Sequence, residues 1–206
     1  MTISYPYSLL DSFPGWTTEF DLFYRQEQSR TSDGVTYVKD FGSPLWQATW
    51  QSRSMSPNEL DKWRAILKSL EGGLKQFIAY PMSRCYPIAY PNGADMGTVS
   101  GAAVNSFNSD NNALSIKGLP AGYKVSVGDY VQVGTYNLHQ ALEAGTGAVT
   151  AQLAIRPHLW PVSAVNDAVV VVKPSCLMTL VPGSISSTAD LTTGRGIISF
   201  QGIESR

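Results

Sequence analysis

LWQATWQSRSMSPNELDKWRAILKSLEGG, residues 45–73, sets a strand beside a helix and governs how the rest of the chain is read. In Trp46-Gln47-Ala48-Thr49-Trp50 large apolar and polar residues alternate, the period-two pattern of a strand with one buried face. Just beyond it the period changes. Ser56 is a good N-cap, Pro57 takes the first helical position, and Glu59 completes an S-x-x-E capping box. Met55, before the cap, can staple onto Leu60. Leu60, Trp63, Leu67 and Leu70 then recur at spacings of three and four, one apolar stripe along a helix. Gly72-Gly73 supplies a left-handed stop. The stretch predicts a half-buried strand leading into a helix over about 56–71.

Working upstream, residues 1–53 are expected to be extended. Phe20, Leu22 and Tyr24 alternate with Asp21 and Phe23, while Ser32-Asp33-Gly34 and Asp40-Phe41-Gly42-Ser43-Pro44 are turn signals. Downstream, Phe77-Ile78-Ala79-Tyr80 predicts a short strand closed by Pro81, followed by a Pro- and Tyr-rich stretch from Cys85 to Pro91. From Gly97 to Asn112 the residues are small and polar, which reads as a linker or an exposed loop. Closely spaced strands are then expected at Ala113–Lys117, Val127–Gly134, Tyr136–Leu142, Val149–Ile155 and Ala168–Val172. In the second of these, Val127, Asp129, Val131 and Val133 should share a face. Cys176–Val181 and Ile197–Ile203 read as two last strands around a Ser/Thr/Gly-rich connection, 183–196. The expected architecture is mostly β. A β-sandwich carrying the single helix would be built from 1–95 and 173–206, with a small β-barrel or sandwich inserted over 96–172.

Composition narrows the function. Only 15% of the 206 residues are charged, against about 25% in ordinary soluble domains. A charge-poor surface suits a protein that buries much of itself against partners. The net charge is -1 and no run of Lys or Arg exceeds two, so specific nucleic-acid binding and adhesion to an anionic membrane have no electrostatic footprint. Met1-Thr2-Ile3-Ser4-Tyr5-Pro6 lacks the basic and apolar regions of a secretory signal, and no apolar run approaches the roughly 20 residues that span a bilayer. The expectation is a product made soluble in the cytoplasm, without membrane insertion.

Catalytic signatures are sparse. His139 and His158 stand alone, no G-x-S-x-G elbow is present, and neither Cys85 nor Cys176 carries a catalytic motif. The two cysteines read as buried thiols, with a disulfide between them left open. There is no H-x-x-x-H, C-x-x-C or calcium-binding loop, so no metal or cofactor is expected. Glu59, Asp61 and Glu71 belong to the helix, and Gly194-Arg195-Gly196 reads as a turn. Asp129 and Asp167 could be the paired carboxylates of a glycosidase. Asp at such turns more commonly serves the backbone, and the chain reads as a non-enzyme. Among the tryptophans, Trp46, Trp50 and Trp63 lie on periodic faces and read as core. Trp160, between Pro157 and Pro161, is the candidate surface residue and a possible glycan contact.

The order of motifs resembles distal-tail and tail-tip (baseplate) proteins of siphophages. The strand Leu45–Trp50, the helix Trp63-Arg64-Ala65-Ile66-Leu67-Lys68-Ser69-Leu70 with Glu71-Gly72-Gly73-Leu74, and the strand Phe77-Ile78 ending at Pro81 carry it. So do Gly128-Asp129-Tyr130-Val131-Gln132-Val133-Gly134 and Ile155-Arg156-Pro157-His158-Leu159-Trp160-Pro161. The likeness runs over residues 45–206; residues 1–44 match only loosely. It implies a tail-tube-like β-sandwich that forms a homohexameric ring in the virion tail. That ring would join the tail tube to the hub and the receptor-binding or fibre proteins, with tape-measure protein in the lumen. It also implies that ring contacts lie within 1–55 and 176–203, and that the insert faces outward. A second reading is a carbohydrate-binding module, a host-glycan adhesin acting through 96–172 and Trp160.

Overall fold

The computed structural model describes residues 4–206, so the extended conformation expected of Met1–Ile3 lies outside the described residues. The chain is mostly β with one α-helix. Four strands come first: β1 (Gly15–Phe23), β2 (Gln26–Arg30), β3 (Thr36–Asp40) and β4 (Leu45–Ser52). Helix α1 (Pro57–Ser69) and β5 (Phe77–Ala79) follow. Then come β6 (Ala103–Phe107), β7 (Ala113–Lys117), β8 (Lys124–Val125), β9 (Tyr130–Val133), β10 (Asn137–Ala141), β11 (Gly145–Thr146), β12 (Leu153–Arg156) and β13 (Val169–Val170). The chain closes with β14 (Cys176–Leu180), β15 (Ser186–Ala189) and β16 (Gly196–Glu204).

The first sheet is antiparallel in the order β1-β4-β16-β14-β5, with β15 hairpinned onto the start of β16. Alternation sets its faces: Trp46, Ala48 and Trp50 of β4 are buried, as are Ile198, Phe200, Gly202 and Glu204 of β16. Phe200 lies opposite Trp50, and Gly202 opposite Ala48. A Cβ on Gly202 would sit 2.9 Å from the Phe77 ring and 3.0 Å from Trp50, so bare backbone lets those rings lie on the sheet. Helix α1 covers this face with Leu60, Trp63 and Leu67, and Phe13 packs edge-on against both Trp63 and Phe200. The helix starts as its sequence predicts. The Ser56 side chain accepts the Glu59 N–H while the Glu59 carboxylate accepts the Ser56 N–H, and Gly72 at φ 62° turns the chain away after Leu70.

The second sheet, in the order β13-β9-β10-β12-β7-β6, curls into a nearly closed barrel. Its two ends are laced by Val104 N–H to the Asp167 carbonyl and Val169 N–H to the Ala102 carbonyl, 2.9 Å each. The barrel has its own apolar cluster, including Val104, Ile116, Val131, Val133 and Ile155. Leu138 of β10 instead joins the cluster under the first sheet, where the Trp46 indole N–H donates to its carbonyl at 2.8 Å.

Several local expectations are corrected. The stretch 97–112 is not a linker: it contains β6, and Ala102 and Val104 are buried, because small residues let this edge close the barrel. Val127 does not share the face of Val131 and Val133. Gly128 at φ 92° interrupts the alternation before the strand begins at Tyr130, leaving Val127 exposed. The connection 183–196 contains β15, whose Ser and Thr residues pair through their backbones with β16. Strand β1 ends at Phe23, so Tyr24 is exposed rather than aligned with Phe20 and Leu22. Val149 and Ala168 each make only an isolated bridge ahead of β12 and β13. Leu9–Asp11 is a short 3-10 turn with both leucines buried.

Candidate assembly surface

Two features of β1 set it apart. Among the described residues its one strand neighbour is β4, so on the other edge of a nine-residue strand the backbone groups pair with no strand, and the Leu22 N–H is taken locally, by the Asp21 carboxylate. The register with β4 also slips between Gly15 and Thr17, which leaves Trp16 as the extra residue of a bulge and 76% exposed. Beyond Phe23 the chain becomes a free two-stranded ribbon. Strands β2 and β3 pair from Gln26–Asp40 to Arg30–Thr36 and are exposed at every position of both strands. The turn is closed by Thr31 N–H to the Val35 carbonyl at 2.9 Å, and the base by Phe41 N–H to the Arg25 carbonyl at 2.9 Å. Tyr24, Val35, Tyr37, Val38 and Phe41 are all exposed on this ribbon or at its base. An isolated ribbon is marginally stable in water, and this one has no core of its own beneath it.

The other edge of the sheet differs. Strand β5 is three residues long, and Tyr7 bridges it in parallel, accepting the Ile78 N–H at 2.9 Å. Leu74 and Tyr5 are the exposed apolar side chains beside it. The outer face of the sheet, away from α1, follows from the register: Thr17, Glu19 and Asp21 of β1 lie opposite Gln51, Thr49 and Gln47 of β4. Gln51 and Thr49 in turn lie opposite Ser199 and Gln201 of β16. These side chains are uncharged or acidic, with no Lys or Arg among them.

The residues singled out for chemistry fall elsewhere. Asp129 is buried, and burial raises its carboxyl pKa. Its two oxygens accept the Ile88 and Ser126 N–H groups at 2.7 Å each, which ties the 81–96 segment to the barrel. Asp167 accepts the Ala164 N–H. Both carboxylates serve the backbone, and they do not come together as a pair. Gly194-Arg195-Gly196 closes a turn held by Asp190, whose carboxylate takes the Thr192 and Thr193 N–H groups. Cys176 is fully buried, its thiol pKa pushed well up by burial, while Cys85 is only half-buried; both are free thiols. His158 is half-buried. His139 is fully buried. Its Nδ1–H donates to the Pro157 carbonyl at 2.8 Å, Nε2 has no partner among the described residues, and burial lowers its pKa to about 4. Among the described residues no group of three His, Cys, Asp or Glu side chains could hold a metal ion, and no helix is long and apolar enough to cross a membrane.

Trp160 sits at the seam between the two sheets. The Arg206 guanidinium lies 5.1 Å from the centre of its ring, and pairs with Glu204 at 2.7 Å. Glu204 also accepts the Trp46 backbone N–H at 3.0 Å. Trp160 is 37% exposed, half the exposure of Trp16. Sequence reading counts Trp16 among the tryptophans that could be platform, core or interface residues, but does not single it out as exposed. The available signal was its place directly after Pro14-Gly15, where a strand begins irregularly. Comparison with family models and with curated proteins gives no match for this chain.

Proposed function

We propose that this chain is a non-enzymatic virion protein whose copies form a ring, most specifically the hexameric ring at the distal end of a long non-contractile phage tail. The observation that carries the reading is the strip 15–41. It combines an open edge strand, a bulged and exposed Trp16, and a ribbon bearing five exposed apolar residues with no core of its own. Such a strip gains stability only when a neighbour covers it. The two edges of the sheet differ: β1 is open along its outer side, whereas β5 is three residues long and bridged by Tyr7. Contacts between unlike edges are head-to-tail, and when the rotation closes they make a ring.

The outer sheet face supports the same reading. A ring that passes DNA and tape-measure protein needs a lumen that does not bind phosphate, and the Thr, Gln, Glu and Asp side chains of this face offer no cation. Under this proposal one end of the ring meets the tail tube and the other meets the hub and receptor-binding proteins. The subunit is made in the host cytoplasm and ends in the tail tip. Negative-stain electron microscopy of the purified chain tests it. Annular particles with six equal subunits and an open centre are the expected result; compact particles without a lumen would refute the ring.

A further inference from the structure

We propose that the cleft at Trp160 is a binding site for an uncharged polysaccharide. This reading is independent of the ring: a monomer would carry the site equally well.

A saccharide-stacking aromatic must be held still on one side and open on the other, because apolar sugar faces gain little from a ring that moves freely. Trp160 meets this condition. One side of its indole faces the Arg206 guanidinium, whose side chain is only 6% exposed and is fixed by the buried Glu204 carboxylate. Trp160 as a whole keeps 37% of its surface exposed. Trp16 is twice as exposed, but no ring or cation packs on it among the described residues. It suits a protein interface that closes over it rather than a preformed platform.

The surroundings of Trp160 fit the same ligand. It lines an open cleft of about 470 Å³ together with Tyr136, Asn137, Thr135 and Gln76. A second aromatic, two side-chain amides and two hydroxyls supply both donors and acceptors, as the alternating hydroxyls of a sugar require. The one cation, Arg206, is already neutralised, and no acidic side chain lines the cleft. An anionic ligand would find no free charge, and a cationic one no carboxylate side chain. The cleft is built from both sheets, with Gln76 beside β5 and Tyr136 and Asn137 at the start of β10.

Native affinity electrophoresis of the full chain tests this, in gels cast with galactomannan, dextran or hydroxyethyl cellulose, and with alginate as the anionic comparison. The expected result is retardation by at least one neutral polymer and none by alginate. Trp160→Ala should abolish the retardation and Asn137→Ala should weaken it, each with the wild-type circular dichroism spectrum. If Trp160→Ala does not fold, Asn137→Ala and Trp160→Phe carry the test. Absence of retardation by all three neutral polymers, retardation by alginate alone, or retardation unchanged in the folded variants would overturn the proposal. Particle mass measured on the same variants should stay at the wild-type value, which keeps failure of this site separate from failure of the ring.

Discussion

Residues 15–41 and 45–70 are neighbours in sequence, share a sheet and are both rich in aromatics, yet they end in opposite environments. In 45–70, Trp46, Trp50, Leu60, Trp63 and Leu67 vanish into one core. In 15–41, Trp16, Phe23, Tyr24, Tyr37 and Phe41 remain in solvent. The difference is not composition but the supply of partners. Strand β4 lies between β1 and β16 and beneath α1, so its apolar face is covered from within the chain. Among the described residues the outer edge of β1 and both faces of the ribbon have no such cover. Under the proposed ring, the same chemistry that builds the core of one copy would form the contact with another.

Substitutions can break this comparison. Trp50→Ala should cost about 3–5 kcal/mol in denaturant unfolding, since the ring is fully buried and stacks on Phe200 at 5.1 Å. A cost below about 1 kcal/mol would mean that 45–70 is not the anchor described. Acid should destabilise the fold nearly as much. His139 is neutral in both states above its ordinary pKa of 6.5, but as pH falls below that value the unfolded chain takes up the proton first. Stability therefore drains away until pH reaches about 4, where the folded histidine also protonates. The full loss is about 3 kcal/mol. His139→Gln should flatten the unfolding free energy between those pH values relative to wild type; parallel pH curves for the two proteins would contradict the assignment. Ser56→Ala should remove about 1 kcal/mol with the helix cap, measured by thermal unfolding. Trp16→Ser should change the stability of the isolated subunit by less than about 0.5 kcal/mol while reducing its association in sedimentation. A large stability loss there would show that Trp16 serves the fold and not a neighbour.

What was legible in the sequence follows the range of the interactions. The helix could be read because its cap, stripe and stop all lie within one short segment, and the buried face of β4 because alternation is local. Strands β6 and β15 could not. β6 reads Ala-Val-Asn-Ser-Phe and β15 Ser-Ser-Thr-Ala, too short an apolar pattern to mark a strand, and pairing is imposed on them by Ile116 of β7 and by Ile198 of β16. The seam is likewise invisible in sequence, because Trp46, Leu138, Trp160, Glu204 and Arg206 meet only after both sheets have formed. Sequence reading expects ring contacts within 1–55 and 176–203, and the strip proposed as the contact falls in the first of those ranges. The bulge at Trp16 and the open edge of β1 were not anticipated, since whether a strand is an edge depends on where the rest of the chain goes.

The most direct test of the account is sedimentation velocity on two proteins: the wild-type chain, and one in which residues 25–41 are replaced by a short Gly-Ser turn. The ribbon contributes nothing to either apolar cluster, so both should fold. The expected result is a wild-type particle near six times 22.3 kDa and a variant that stays monomeric. The same particle mass from both proteins would contradict the claim that the strip 15–41 joins one copy to the next.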